Sequence, residues 1–309
     1  MFTSSACHRG TELVTLGSMH SLVAAVANDL GADVRSTSRL SGGDVAESYR
    51  MELADGRTVF AKTHRTPPAG FFTTEANGLR WLREPTVIAV PEVLAVSDGD
   101  DATPPRLVLE WIDEVGRGSP EGEAEFGRAL ARLHRSGAPA FGREDRRTTG
   151  SLALPNDPCQ TWVEFYGERR LEVLLRIARD RQALPDSALT KLERTIERLD
   201  AVGSPPEPPA RLHGDLWAGN RLVDRSGRSW LIDPACHGGH REYDLAMMRL
   251  FGGFGHECFA GYLAEWPLAD GWEARVPLHQ LSPLVVHAVK FGGGYAAATE
   301  RALDAVSSI

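Results

Sequence analysis

The hydrophobic period of the chain changes twice. Leu22, Val23, Val26, Ala27 and Leu30 recur at helical spacing and Gly31 supplies a stop. From Val34 to Thr63 the period shortens to two. Tyr49-Arg50-Met51-Glu52-Leu53 alternates, Ser41-Gly42-Gly43-Asp44 supplies a turn, and Asp55-Gly56 is a tight hairpin signal ahead of Thr58-Val59-Phe60-Ala61-Lys62. A helix capped by Thr73 or Thr74 is predicted to run to Arg83, with Ala76, Leu79 and Leu82 on one face. Two further strands follow at Pro91–Val96 and Arg106–Trp111.

After Ile112 the spacing is helical. Phe126, Leu130 and Leu133 mark one helix, Trp162–Arg179 a longer one, and Leu189, Leu192, Ile196 and Leu199 a third. The proline-rich stretch Gly203–Ala210 breaks the helices. A short strand at Arg211–Leu212 follows, then a hairpin of Arg221–Val223 with Trp230–Ile232 turning at Asp224–Gly227, and helices to the end. The expected class is α+β. Residues 19–112 form a small antiparallel-sheet lobe with one inserted helix, residues 113–309 a larger, mostly helical lobe, and the polar, aperiodic residues 1–18 a disordered tail.

Composition narrows the function. With 42% hydrophobic and 25% charged residues over 309 positions, the chain can bury a sizeable core. A net charge of −8 argues against general affinity for nucleic acid or anionic membrane. No apolar run approaches the ~18 residues of a membrane span, and the N-terminus lacks the basic start and apolar core of a secretion signal. Cys7, Cys159, Cys236 and Cys258 lie far apart and form no CxxC pair, so no disulfide framework is expected. Together these point to a cytoplasmic, globular protein, expected to be a monomer. Of the 34 basic residues only Lys62, Lys191 and Lys290 are lysines. A lysine in a chemically suggestive place therefore carries more weight than usual.

The chemistry concentrates in His213-Gly214-Asp215-Leu216-Trp217-Ala218-Gly219-Asn220, followed by Leu231-Ile232-Asp233. Gly-Asp and Gly-Asn pairs alone are ordinary turn formers. An Asp, an Asn five positions on, and an Asp closing a hairpin are instead what phosphoryl transfer from a nucleotide requires. One carboxylate accepts the proton of the attacking hydroxyl, while an amide and a second carboxylate hold magnesium on the phosphates. Asp215 is the expected base, with Asn220 and Asp233 as metal ligands.

The first lobe provides the complement. Lys62 ends the strand after the hairpin, where a kinase keeps its phosphate-anchoring lysine. Glu75 lies in what is expected to be the first turn of the next helix, placed to hold that lysine. Ser41, Gly42 and Gly43 occupy a turn whose amides would cover phosphates, and the backbone of Glu110, Trp111 and Ile112 runs where adenine would be bound. ATP is expected between the lobes.

HGDLWAGN, LIDPACHGGHREYDLAMMRLFGGF, FGGGY at Phe291–Tyr295 and Trp162…Phe165…Glu168-Arg169-Arg170-Leu171 resemble the fructosamine (ketosamine) kinase family, within the larger aminoglycoside-phosphotransferase and choline-kinase-like group. The resemblance covers the chain from Met19 to the C-terminal region. It implies a two-lobed, protein-kinase-like fold and phosphorylation of the third-carbon hydroxyl of free or protein-bound ketosamines, whose unstable product sheds the sugar. It assigns base, metal-ligand, phosphate and adenine roles to the same residues. On the substrate side stand His213, Trp217 and Trp162. Trp217 would offer a ring face to a sugar or amine, with cation–π attraction of ~1 kcal/mol. Tyr243 stands where an aliphatic residue is expected, and Cys236, His237 and His240 make Pro234–His240 unusual.

Asp233 and Asp244 have ten residues between them, too few for the activation segment and peptide platform of a eukaryotic-type protein kinase. Asp244 is expected to brace the catalytic loop, and His134 to meet a helix C-terminal dipole. A Cys236, His240, His256 and Cys258 zinc set is disfavoured by its spacing. Two rival readings remain open at this level: a kinase of an aminoglycoside or choline-like amino alcohol, and a non-catalytic nucleotide-binding regulator.

Overall fold

The computed structural model describes residues 19–41, 46–116, 118–145, 152 and 154–308. The expected N-terminal tail and two of the glycine-turn candidates, Gly42 and Gly43, lie outside these residues. The chain divides into two compact units, one running to Arg80 and resuming at Pro91–Asp113, the other comprising Trp81–Val90 and the chain from Glu114 onward.

The first unit opens with helix α1 (19–30) and a five-stranded antiparallel sheet of β1 (Val34–Leu40), β2 (Glu47–Leu53), β3 (Thr58–Thr63), β4 (Val93–Ser97) and β5 (Arg106–Glu110) in the order β1-β2-β3-β5-β4. Strand alternation puts Tyr49, Met51, Leu53, Val59, Ala61 and Val108 on one face, where Leu22 and Val26 of α1 cover them. Lys62 points the other way, on the central strand, paired in register with Ser48 and Leu107.

Helix α2 spans Phe71–Arg83, starting ahead of either predicted cap. Its cap comes from elsewhere in the chain. Asp98 accepts the backbone N–H groups of Phe72 (3.0 Å) and Thr73 (3.2 Å), a contact with no local sequence signature. With the start at Phe71, Glu75 falls beyond the first turn, so the helix dipole gives it less support than expected. β4 begins two residues later than predicted. Pro91 has no N–H to pair, and the Glu92 carbonyl accepts the Glu110 N–H at 3.1 Å.

The second unit is mostly helical. α3 (Pro120–Arg135) has Ser119 as its N-cap and packs against α9 (His256–Glu265). The two backbones approach so closely that a Cβ on Gly127 would lie 1.9 Å from the Cys258 carbonyl, and one on Gly261 2.2 Å from that of Ala124. The predicted long helix is α4 (Trp162–Tyr166), a π-helical stretch (Gly167–Leu171) and α5 (Glu172–Asp180). The predicted third helix is α6 (Asp186–Glu197) followed by the short α7 (Leu199–Val202). α8 (Glu242–Phe251), α10 (Trp272–Phe291) and α11 (Gly294–Ser307) complete the unit. α10 contains Pro283. Beside it the Tyr166 hydroxyl enters the helical ladder, accepting the Ser282 N–H and donating to the Leu278 carbonyl at 2.6 Å.

Two short ribbons position the candidate chemistry: β6 (Ala210–Leu212) with β9 (His237–Gly239), and β7 (Arg221–Val223) with β8 (Ser229–Leu231). Trp81–Val90 belongs with this unit through specific contacts. The Arg211 guanidinium lies 4.6 Å from the Trp81 ring centroid, and the Ala89 carbonyl accepts the Leu231 N–H at 2.9 Å.

Candidate active site

In the second unit, β6 delivers the chain into the loop His213–Asn220 and the β7–β8 hairpin returns it at Asp233. Gly214 has a φ of 80°, and a Cβ there would lie 2.1 Å from the Ala235 carbonyl. The turn therefore requires glycine for both conformation and space. The His213 carbonyl accepts the Ala235 N–H (2.9 Å), and the Asn220 carbonyl accepts the Ile232 N–H (3.0 Å), so loop and hairpin are cross-tied. Asp233 itself sits at a φ of 53°, a left-handed conformation uncommon outside glycine. Such strain of about 1–3 kcal/mol persists where surrounding structure enforces it, often at functional sites.

Asn220 joins the three residues singled out by the sequence. Its side-chain amide donates to the Asp215 carbonyl (2.9 Å), the Asp215 carboxylate (3.2 Å) and the Asp233 carbonyl (3.4 Å). With the nitrogen so engaged, the amide oxygen of Asn220 and the carboxylate of Asp233 are hard oxygen donors of the kind magnesium takes. The donor set fits that ion. Burial pushes the Asp215 carboxyl up to about 6; the negative charges of Asp233 and Asp244 act in the same direction, while the Asn220 hydrogen bond and the charge of Lys290 oppose them.

Asp244, in the first turn of α8, is fully buried beneath this loop. Its carboxylate accepts the backbone N–H groups of His213 (2.8 Å) and Gly214 (2.9 Å). Burial alone would raise its pKa, yet the His134 hydrogen bond and these contacts hold it below the usual value. The sequence did not reveal His134 as its partner. From the last turn of α3, where it was expected, the buried His134 ring also bridges Asp244 (3.3 Å) and the Tyr262 hydroxyl (2.8 Å).

Of the expected substrate-side residues, the structure exposes one. Trp217 is 42% exposed, and its indole occupies the space over Gly219, where a Cβ would come within 2.2 Å of the ring. His213 is instead fully buried: Nε2 donates to the Ile232 carbonyl (2.9 Å) and Nδ1 faces the Asp215 N–H (3.3 Å), so it shapes the loop from inside. Trp162 is 7% exposed, in an aromatic core with Phe141, Phe165, Tyr166 and Tyr243. Burying its large apolar ring there leaves no face for a ligand. Tyr243, Cys236, His237 and His240 are interior as well, His237 stacking on Phe165.

In the first unit Lys62 and Glu75, both more than nine-tenths buried, form an ion pair at 2.8 Å. Ser41 follows β1 and is exposed. The N–H of Glu110 is given to the Glu92 carbonyl at 3.1 Å. Trp111 and Ile112 lie just past β5, the Trp111 indole donating to Asp113 at 2.9 Å.

Among the described residues the cluster capable of holding a metal is His240, Glu242 and His279. That cluster is internally occupied: Arg275 makes two hydrogen bonds to Glu242 (2.6 and 2.9 Å), and Ser204 bonds both Glu242 and His279.

Comparison with known proteins adds an independent line. A family model described as fructosamine kinase matches residues 19–308. A protein of Enterococcus faecium named as a ketoamine kinase is 35% identical over 264 residues, 85% of this chain and 92% of its own. A solved structure from Thermobifida fusca, named as a fructosamine-3-kinase, is 40% identical and superposes with a TM-score of 0.86, covering 94% of this chain and 99% of that one. The fold extends further: a choline kinase from Streptococcus pneumoniae, 15% identical, aligns over 94% of this chain and 99% of its own with a TM-score of 0.61.

Proposed function

The chain belongs to the fructosamine kinase family, and from that premise we propose that it transfers the γ-phosphoryl group of ATP to the third-carbon hydroxyl of a ketosamine, free or protein-attached, as a step in deglycation. The observation that carries this reading is the Asn220 side chain, which ties Asp215 to Asp233. The acceptor hydroxyl oxygen bonds to the γ-phosphorus, the bond to the β–γ bridging oxygen breaks, ADP leaves, and Asp215 takes the hydroxyl proton. A carboxyl raised to about 6 suits that exchange near neutral pH. Asn220 and Asp233 would hold magnesium, which supplies charge neutralisation on the phosphates. Lys62, steadied by Glu75, anchors the α- and β-phosphates. Trp217 offers its exposed face to the sugar. The three cysteines described are free, buried thiols, in keeping with a reducing, cytoplasmic location.

The deciding experiment is magnesium-dependent ADP release from ATP with ribulosyl-lysine and fructosyl-lysine, alongside unglycated lysine and choline. Release with a ketosamine and not with lysine or choline is the expected result. Release with choline alone would transfer the chain to the amino-alcohol kinases, and ATP binding without release on any acceptor would favour a regulator.

A further inference from the structure

The Phe291–Tyr295 stretch FGGGY is not used by the chemistry above, yet it is spatially tied to the catalytic loop. Ring centroids run from Trp217 to Phe251 (6.5 Å), from Phe251 to His287 (4.9 Å), and from His287 to both Phe291 (5.5 Å) and Tyr295 (4.9 Å). The ladder begins and ends on exposed rings, Trp217 at 42% and Phe291 at 55%. Its middle rung is fixed, because His287 Nδ1 donates to the Pro283 carbonyl at 2.7 Å. Phe291 closes α10, and Gly292 and Gly293, at φ values of 63° and 55°, turn the chain so that Tyr295 of α11 comes back against the same rings. Two exposed aromatics joined through packed ones form a surface that folding alone does not require.

Lys290 stands at the rim of this surface, exposed, its ammonium 5.0 Å from the Phe291 centroid. Its charge also reaches Asp215, lowering the pKa of that carboxyl. At the exposed end of the apolar strip, the Lys290 ammonium beside Phe291 offers a counter-charge to a ligand with an aliphatic arm and a negative end.

We propose that the Phe251–His287–Phe291 strip and Lys290 form the subsite for the amine-side arm of the ketosamine, and that the preferred arm ends in a carboxylate, as in a glycated free amino acid. This rests on the ketosamine-kinase reading and names its substrate class. A lysine arm presents four methylenes to the rings and its carboxylate to Lys290.

The test compares Nα-acetyl-ribulosyl-lysine with its carboxyl-amide in steady-state kinetics, for the wild type, Lys290→Ala, Lys290→Arg and Phe291→Ala. The wild type should show a KM about threefold to fivefold lower for the acid than for the amide, the range of one exposed ion pair. Lys290→Ala should bring that ratio to about one, Lys290→Arg should keep it, and Phe291→Ala should raise KM for both compounds. An acid-to-amide ratio unchanged by Lys290→Ala, or an amide preference in the wild type, overturns the inference while leaving the kinase reading in place. No turnover by the wild type of either compound or of their fructosyl counterparts overturns the ketosamine reading, and this inference with it.

Discussion

Asp244 holds Gly214 in place: its carboxylate accepts the Gly214 backbone N–H at 2.9 Å, beside the His213 N–H at 2.8 Å. The residue preceding Asp215, the proposed base, is thereby fixed to the first turn of α8 rather than to its own hairpin. Replacing Asp244 by Ala leaves two buried N–H groups without their acceptor and frees the loop. The expected result is a loss of about 3 kcal/mol in stability together with a drop in kcat, measured by urea unfolding and ADP release.

Asp215→Asn is expected to separate stability from activity. It removes a carboxylate that faces the charges of Asp233 and Asp244, so unfolding should become harder by roughly 1–2 kcal/mol. Turnover should fall by at least ~10²-fold, the contribution of a positioned general base, while ATP affinity holds. Retained turnover would remove Asp215 from its role.

The Lys62–Glu75 pair provides a different separation. Because both partners are buried, Lys62→Ala alone should cost about 3–5 kcal/mol by stranding Glu75. The double replacement Lys62→Met with Glu75→Leu should recover most of that stability and none of the catalysis. Thermal melts and single-turnover assays on the three proteins decide it.

The α3–α9 contact tests packing far from the chemistry. A valine at Gly127 has no room, since even a Cβ would overlap the Cys258 carbonyl. Gly127→Val should destabilise by more than ~3 kcal/mol or prevent soluble expression. A substitution to alanine should already show a reduced melting temperature.

Acid sensitivity follows from His237. Burial, aided by the Arg170 charge, lowers its pKa to about 3 from 6.5. The folded state therefore keeps the ring neutral, and the unfolded chain takes up the proton first as pH falls below 6.5. The stability lost grows from pH 6.5 down towards 3, amounting to about 2 kcal/mol at pH 5. Denaturation midpoints at pH 7.5 and 5 should differ by at least that much, because burial lowers His240 to about 3 as well, and His237→Phe should remove the His237 share of the difference.

The sequence by itself determined the two kinds of unit, the order of strands and helices, and that Asp215, Asn220 and Asp233 come together. Those features rest on local periodicity and on short-range spacing: Asp215, Asn220 and Asp233 lie on one loop and one hairpin, so covalent connection brings them together. Tertiary structure decided what distant segments do to one another. Asp98 caps α2, His134 supports Asp244 across 110 residues, and Tyr166 fills the gap beside Pro283. The same packing moved His213 and Trp162 from the substrate side into the interior and left Trp217 outside. Burial is a property of what surrounds a side chain. A motif fixes a residue's neighbours along the chain, and only the folded core decides which of its faces meets water.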